Sequence, residues 1–291
     1  MLGRICAIVV LSAAVLATDL ARANMGASDP REILRSMGRA VDGVRDYTMT
    51  LISQEWDEDG MAPPETHFTK WARPFKVYYK KLSEPNLGRE ILFVDDWNNG
   101  KLKVSIRAWP INIGVNVSPH GDLAMARTKH PIDETSLIYL VNAVLDAFRR
   151  ADERGEAFAE DHGGDTILGR ECRRVRIFIS QSSTTYTLVR GETLWDVAKR
   201  FDAAMAPLLH ANRELGWTTP GDAKPGQTIR VPRYYASRVD LWIDNALSLP
   251  LVAEIFDEQG EMFERFEHRD LRVNVGLGPQ DFSPANPEYR F

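Results

Sequence analysis

The hydrophobic pattern near the start of the chain changes its period once. Residues 29–43 repeat apolar positions at helical spacing, with Asp29 as the predicted N-cap, Pro30 in the first turn and Gly43 as a stop. From Tyr47 onward, apolar and polar residues alternate instead, which is typical of half-buried strands. The pattern therefore predicts one helix followed by a sheet.

Five strands are predicted in this first sheet region. They are rich in aromatic and β-branched residues, and their sequences are YTMTLISQEW, THFTKWA, FKVYYKKL, REILFVDD and KLKVSIRAW. Asn98, Asn99 and Gly100 tolerate positive φ and predict a hairpin turn between the last two strands. Each strand has one apolar face, so this antiparallel meander needs a cover.

The next helical pattern supplies that cover. It has Asp133 or Thr135 as the predicted N-cap, a wide apolar stripe, and Arg149 and Arg150 near its C-terminal end. Strands resume after the helix at 166–180, 237–244, 250–258 and 262–275. The Pro-rich tail that follows is expected to lie extended along the surface. These elements predict an α+β fold with an antiparallel sheet and covering helices.

Residues 184–232 interrupt the second strand region with a different pattern. Gly191 predicts a turn after a short strand, and Thr193 predicts the N-cap of a helix. Pro207 predicts the start of a second short helix, and the sequence TIRVP predicts a closing strand. The order strand, helix, helix, strand within about fifty residues indicates a small separate unit.

This unit resembles the LysM module, a βααβ domain that binds the N-acetylglucosamine backbone of peptidoglycan or chitin. The resemblance rests on residues that match the family in order, namely Tyr186, Gly191, Glu192, Thr193, Leu194, Trp195, Ala198, Phe201, Leu208, Leu209, Asn212, Pro225, Gly226, Gln227, Ile229 and Pro232. Two departures are Ala223, where the family usually has a larger apolar residue, and Glu192, where Asp is commoner.

The resemblance implies a shallow sugar-binding groove between two loops. It assigns Gly191, Glu192, Thr193 and Leu194 to one side of the groove. The other side is formed by residues from the loop after the second helix, namely Asn212, Leu215 and Trp217. The alternative for several of these residues is a structural role as cap, core or helix end. The implied partner is a peptidoglycan glycan strand.

The strands outside the unit resemble the LolA-like family of periplasmic lipoprotein carriers, whose fold is a curved half-barrel of antiparallel strands. The resemblance rests on KWARPFKVYYK, VDLWIDNALSLPLVAEIFDEQG and FEHRDLRVNVGLGPQDF. We therefore expect a discontinuous half-barrel domain at residues 24–183 and 233–291, with the LysM module inserted at 184–232. The Pro-rich ending suggests an uncharacterised branch of that superfamily.

A carrier-like half-barrel implies a concave face that binds acyl chains of lipid or lipoprotein. The candidate cavity residues are Phe75, Tyr79, Phe93, Trp109, Trp242 and Phe256, with Leu140 and Val144 of the helix as a lid. The alternative is that the same residues form a closed core. Periodicity does not separate these two arrangements.

The first residues and the composition bear on location. A basic start, an apolar run shorter than the about 20 residues of a membrane span, and Ala21-Arg22-Ala23 predict a signal peptide at residues 1–23. An uncleaved anchor is the alternative. The net charge of −5 argues against a general nucleic-acid partner. We therefore expect a cell-wall-associated protein in the periplasm of a Gram-negative-type bacterium.

Two functions remain open at this point. The first is a non-enzymatic envelope protein held on peptidoglycan by LysM, and the alternative is a peptidoglycan-remodelling hydrolase or amidase targeted by LysM. The chain lacks a Gly-x-Ser-x-Gly elbow and a His–Glu zinc motif. Cys172 has no accompanying catalytic motif, and residues 160–165 (EDHGGD) are expected to form a polar loop. We therefore predict no catalytic residues, metal or cofactor.

Overall fold

The structure is a computed structural model that describes residues 29–57, 60–108, 111–126 and 128–291. The predicted signal peptide and Trp109 lie outside the described residues.

The first helix, α1 (Pro30–Asp42), is capped by Asp29, whose carboxylate accepts from the backbone N–H of Arg31 at 2.9 Å. Gly43 follows the last turn of this helix. Both predicted ends of this helix are confirmed.

The strands before the second long helix form a meander. They are β1 (Asp46–Asp57), β2 (Gly60–Met61), β3 (Glu65–Ala72), β4 (Lys76–Lys81), β5 (Glu90–Val94), β6 (Leu102–Ala108) and β7 (Ile111–Val117). The turn at Asn98–Gly100 joins β5 to β6 as predicted, with Asn98 and Asn99 at positive φ. The sequence analysis missed β2 and β7. β7 pairs with β6 along its whole length and forms one edge of the sheet.

Two helices follow, namely α2 (Asp122–Met125) and α3 (Leu137–Asp152). The predicted caps of α3 at Asp133 or Thr135 are wrong. Ser136 is the N-cap, and its Oγ accepts from the Tyr139 N–H at 3.0 Å, because Ile132–Glu134 forms a separate 3-10 turn just before it. Arg149 and Arg150 lie in the last turn as expected.

The remaining strands complete the sheet around the inserted unit. They are β8 (Ala157–Ile167), β9 (Arg170–Ile179), β10 (Ser183–Thr187), β11 (Thr228–Pro232), β12 (Arg238–Asp244), β13 (Pro250–Phe256) and β14 (Met262–Val273). The predicted loop at 160–165 is wrong, because these residues belong to β8, with a register shift between Asp161 and Gly164. β8 is an edge strand, and Glu160, His162, Gly164 and Asp165 are exposed there.

In the described part of the chain, the large sheet is antiparallel and open, with the order β7-β6-β5-β4-β3-β1-β14-β13-β12-β9-β8 and with β2 attached to β1. The helices α1 and α3 lie over β8 and β9. Their apolar faces and the inner faces of the strands form the main core, which includes Met37, Tyr47, Val144 and Leu241. This is the α+β class that the sequence predicts.

The C-terminal tail packs on the opposite face of the sheet. The ring of Tyr289 stacks on Tyr78 with 3.9 Å between centroids, and Phe282 is buried beside Leu92. Lys70 pairs with Asp281 at 2.7 Å. The expectation of an extended surface tail was therefore incomplete, because its aromatic residues cover the outer side of β3 to β5.

Candidate functional site

The inserted unit has its own small fold. β10 and β11 pair as a two-stranded sheet, and α4 (Leu194–Phe201) and α5 (Met205–Ala211) pack on it. The second helix begins at Met205, not at Pro207 as predicted, because proline is tolerated in the first turn of a helix. The strands that flank the unit, β9 and β12, pair directly with each other. The unit therefore leaves and rejoins the large sheet between neighbouring strands.

The first loop of the predicted sugar site, residues 188–193, is held by a network of side chains. The carboxylate of Glu192 accepts from the Tyr186 hydroxyl at 2.9 Å and pairs with Arg200 at 2.7 Å. Gly191 lies at φ +83°, where a side chain would be strained. Glu192 is therefore engaged in holding the loop, and Gly191 itself is exposed.

The start of α4 is fixed by a reciprocal capping box. Thr193 Oγ1 accepts from the Asp196 N–H at 3.2 Å, and the Asp196 carboxylate accepts from the Thr193 N–H at 2.9 Å. The Thr193 hydroxyl also donates to the Asp196 carboxylate at 2.7 Å, and this bond together with the one from the Thr193 N–H lowers the pKa of Asp196. Leu194 is fully buried in the core of the unit. Thr193 remains exposed, whereas the side chain of Leu194 has no open surface for a sugar.

Asn212 acts as a buried strap between the second helix and β11. Its amide nitrogen donates to the carbonyl oxygens of Leu208 at 2.8 Å and Arg230 at 2.7 Å, and its Oδ1 accepts from the Arg230 N–H at 2.8 Å. Leu215 is half-buried against the core of the unit. The amide of Asn212 therefore makes structural bonds, and contact with a sugar at this position would involve the neighbouring backbone.

We call the surface between residues 188–193 and 212–222 the LysM groove. Of the residues predicted to line it, Gly191 and Thr193 are exposed, and Trp217 is half-buried. One apolar side chain in the first loop was missed by the sequence analysis. Val189 is 54% exposed and offers an apolar surface that core packing does not require.

The unit is attached to the rest of the protein by polar contacts at two places. His210 of α5 bonds Asp257 at 3.0 Å, and Arg213 pairs with Glu261 at 3.1 Å. On another side, Arg150 of α3 pairs with Asp202 at 2.8 Å. A third attachment involves α2, where Met125 is buried in the core of the unit. The inserted unit therefore packs directly on the large sheet and its helices.

The half of the concave face that α1 and α3 leave uncovered contains a cavity of about 860 Å³. This volume lies in the range of small-molecule binding sites. Its apolar walls come from strands β1 and β4 to β7 and from the start of α3, and they include Leu51, Tyr79, Ile91, Leu102, Val104, Ile106, Val115, Val117, Leu137 and Leu140. Such a surface suits a hydrocarbon chain.

One wall of the cavity is polar. His130 and Tyr235 line the cavity, and both bond the buried carboxylate of Glu264, at 2.8 Å and 2.7 Å. Burial alone would lower the pKa of His130, but the carboxylates of Glu264, Glu55 and Glu134 raise it to about 9. His130 is therefore a buried imidazolium at neutral pH. Burial also raises the pKa values of the Glu55 and Glu134 carboxyls.

A second polar group also lines the cavity. Glu65 pairs with Lys81 at 2.5 Å and lies 3.7 Å from Nε2 of His67. Burial lowers the pKa of His67 to about 4, and the positive charge of Lys81 acts in the same direction. His67 is therefore neutral at pH 7. The cavity joins a long apolar interior to polar groups, which is the chemistry of a site for an amphiphile.

The structure places the seven described candidates for the cavity in different environments; the eighth, Trp109, lies outside the described residues. Tyr79 and Leu140 line the cavity, and Val144 is buried in the core under α3. The rings of Phe75 and Phe93 contact each other at 5.7 Å and pack on the core.

The other two described candidates lie on the outer face. Trp242 lies under the guanidinium group of Arg174 at 4.6 Å, and Phe256 lies under that of Arg238 at 3.5 Å. Strand alternation places both rings on the outer face, whereas aromatic content alone suggested the inner one.

The polar wall of the cavity could not have been found from the sequence. The pairing of β1 with β14 places Glu55 opposite Glu264. The segment before α3 brings His130 to them, and the Lys129 N–H donates to the Glu55 carboxylate at 2.8 Å. Cys172 is fully buried, and burial raises the pKa of its thiol. No group of three or more potential metal ligands is present among the described residues.

None of the helices between residues 29 and 291 that the structure describes is long and apolar enough to cross a membrane.

A family model described as a protein of unknown function (DUF1571) matches residues 44–206 and 226–291. The LysM domain model matches residues 186–232, which confirms the LysM prediction. No curated protein has a sequence that matches this chain.

Solved structures with a similar fold have low sequence identity. The MucA/MucB complex of Pseudomonas aeruginosa matches at 12% identity with a TM-score of 0.41. The match covers 88% of this chain and 61% of the matched chain, so this chain spans about three fifths of the length of that relative. Lipoprotein LppX of Mycobacterium tuberculosis matches at 10% identity with a TM-score of 0.40, and the match covers 86% of this chain and 99% of that one. A LolA superfamily protein of Nitrosomonas europaea matches at 9% identity with a TM-score of 0.32, and the match covers 88% of this chain and 98% of that one.

Proposed function

We propose that this chain, which belongs to the DUF1571 family and carries a LysM domain, is a non-enzymatic cell-envelope protein. Its LysM domain binds the N-acetylglucosamine backbone of peptidoglycan, and its sheet domain binds a lipid or the acyl chain of a lipoprotein. The location that follows is the periplasm of a Gram-negative-type bacterium. We keep the domain division at 24–183 and 233–291, around 184–232, as part of this proposal.

The observation that carries the proposal is the cavity on the concave face. Its volume of about 860 Å³ and its aliphatic walls beside a polar wall give room for a hydrocarbon chain. Native mass spectrometry of the full chain purified from envelope extracts is expected to detect a bound lipid.

Peptidoglycan binding is tested by cosedimentation of the full chain with purified sacculi. Deleting residues 184–232 is expected to abolish cosedimentation. The residues just outside this deletion are close together, because the Arg233 N–H donates to the Ser182 carbonyl at 2.9 Å. Unchanged cosedimentation of the deletion variant would contradict the role of LysM.

A point variant avoids the exposed core that the deletion leaves. We expect Val189→Asp to weaken binding to sacculi about tenfold, since losing one apolar contact with a sugar face costs about 1 to 2 kcal/mol. Val275→Asp is the matched control, because Val275 is 44% exposed and lies outside the LysM domain. Equal binding of both variants to sacculi would show that the first loop does not contact the sugar.

The same sacculi test the alternative function. A hydrolase or amidase would release soluble muropeptides during incubation with the full chain, and chromatography of the supernatant would detect them. We expect no release. Release that persists in freshly purified protein and depends on protein concentration would replace the non-enzymatic proposal with the enzymatic one.

A further inference from the structure

A short host segment, residues 119–123, connects the two candidate binding sites, and we call it the bridge segment. The ring of His120 contacts Trp195, which follows the first loop of the LysM groove, with 4.8 Å between centroids. The carboxylate of Asp122 accepts from the Gly221 N–H in the second loop at 3.1 Å. The bridge segment therefore contacts structure next to both sides of the groove.

The bridge segment is also a wall of the cavity. Pro119 and Leu123 line the cavity, and so do Trp217 and Thr218 from the second loop of the LysM groove. The loop that forms one side of the predicted sugar site is thus also part of the cavity wall. The LysM groove and the cavity are adjacent and share these residues.

Leu123 is the unusual residue at this junction. Its side chain is 77% exposed, more than any other large apolar side chain among the described residues. It lies on the short helix α2, whose neighbour Met125 is buried against the LysM core. An exposed leucine between a sugar groove and an apolar cavity provides a surface over which a hydrocarbon chain can pass from one to the other.

The relative position of the two sites is well defined by contacts. Ion pairs or hydrogen bonds join the LysM domain to Asp257, Glu261, Arg150 and Asp122. A ligand that reaches both sites gains affinity only when the distance between them matches its length, and a fixed arrangement keeps that distance constant.

We propose that one amphiphilic molecule occupies both sites, with an N-acetylated amino-sugar head in the LysM groove and a hydrocarbon tail in the cavity. This inference rests on the proposed function, because it uses the sugar site and the lipid site assigned there. It adds that the two sites recognise a single lipid-linked amino sugar. The tail crosses the bridge segment at Leu123.

The test compares three probes by isothermal titration calorimetry with the full chain, below their critical micelle concentrations. The probes are triacetylchitotriose, its dodecyl glycoside, and dodecyl maltoside, which has the same tail and a head without N-acetyl groups. We expect the dodecyl chitotrioside to bind at least about tenfold more tightly than either of the others, because its two parts bind as one linked ligand.

A variant at the bridge segment tests the path of the tail. Leu123→Asp is expected to remove most of the gain from the dodecyl tail and to leave binding of triacetylchitotriose unchanged. Because Leu123 is so exposed, its replacement leaves the core intact. Leu168→Asp, at a 40% exposed position in the turn between β8 and β9, is the matched control and should keep the full gain.

The outcomes separate this inference from the function on which it rests. If triacetylchitotriose binds but the dodecyl tail adds nothing, or if dodecyl maltoside binds as tightly as the dodecyl chitotrioside, the single-ligand inference is overturned and the sugar site stands. If triacetylchitotriose and sacculi both fail to bind, the proposed function itself fails. The inference would also be overturned if Leu123→Asp did not reduce the gain in affinity that the dodecyl tail gives to the chitotrioside.

Discussion

Replacing Glu264 by glutamine is expected to lower the free energy of unfolding of this protein by about 3 kcal/mol, because removing one partner of a buried ion pair leaves the other without compensation. Glu264 is 1% exposed, and His130 is 5% exposed. Tyr235 also donates to the same carboxylate at 2.7 Å. Urea denaturation followed by tryptophan fluorescence at pH 7 measures the change.

The same pair makes stability depend on pH. The pKa of His130 is about 9 in the folded protein, above the value of about 6.5 for an unperturbed imidazole. Its contribution is therefore fully present below about pH 6.5 and is lost as the pH rises through about 9. We expect the wild-type protein to lose about 3 kcal/mol over this range and Glu264→Gln to lose much less.

A neighbouring carboxylate supplies the control for this prediction. Glu254 on β13 pairs with Arg265 at 3.2 Å, but both side chains are partly exposed. Glu254→Gln should change stability by less than about 1 kcal/mol and keep the wild-type pH dependence. An identical pH profile in Glu264→Gln and the wild type would show that the pair with Glu264 does not control the charge of His130.

Replacing Asn212 by alanine is expected to destabilise the LysM domain by about 3 kcal/mol, since each buried backbone group left without a partner costs about 1 to 3 kcal/mol. The side chain of Asn212 satisfies the Leu208 carbonyl and both backbone groups of Arg230. Its loss separates α5 from β11, and binding to sacculi should fall with it.

Hydrogen exchange gives a local measurement of this effect. The amide of Arg230 should exchange faster in Asn212→Ala, because its acceptor is the Asn212 Oδ1. Asn245→Ala is the control, because Asn245 is exposed in the turn before β13. Protection of the Arg230 amide at the wild-type level in Asn212→Ala would contradict the strap role.

Local signals predicted several elements because their causes lie within a few residues of each other. Asp29 and Thr193 cap their helices as the sequence indicated, and the turn at Asn98–Gly100 follows from residues that accept positive φ. The edge strands β7 and β8 were missed or taken for a loop. In β8, residues 160–165 (EDHGGD) are all polar or glycine, so its hydrophobic alternation is weak. The sequence of β7, INIGVNV, alternates regularly, so this strand could have been predicted from its own residues.

The predicted site residues divide in the same way. Motif matching located the LysM loops, but it did not separate residues that face a ligand from residues that hold the loop. Glu192 and Asn212 both make structural bonds in the folded chain. In the sheet domain, aromatic content pointed to Trp242 and Phe256, whereas strand alternation and the arginines beside them place both on the outer face.

The sequence by itself determined the two kinds of module in this protein, since helix caps, turns and strand periods are properties of neighbouring residues. The tertiary structure alone decided where the cavity lies and which charges line it, because Glu55 and His130 reach its wall only through the pairing of β1 with β14 and the packing of the segment before α3 on those strands. It also decided that Trp217 of the LysM domain and Leu123 of the host share one wall of that cavity. Contacts between residues far apart in the chain depend on packing, and local patterns carry no record of them.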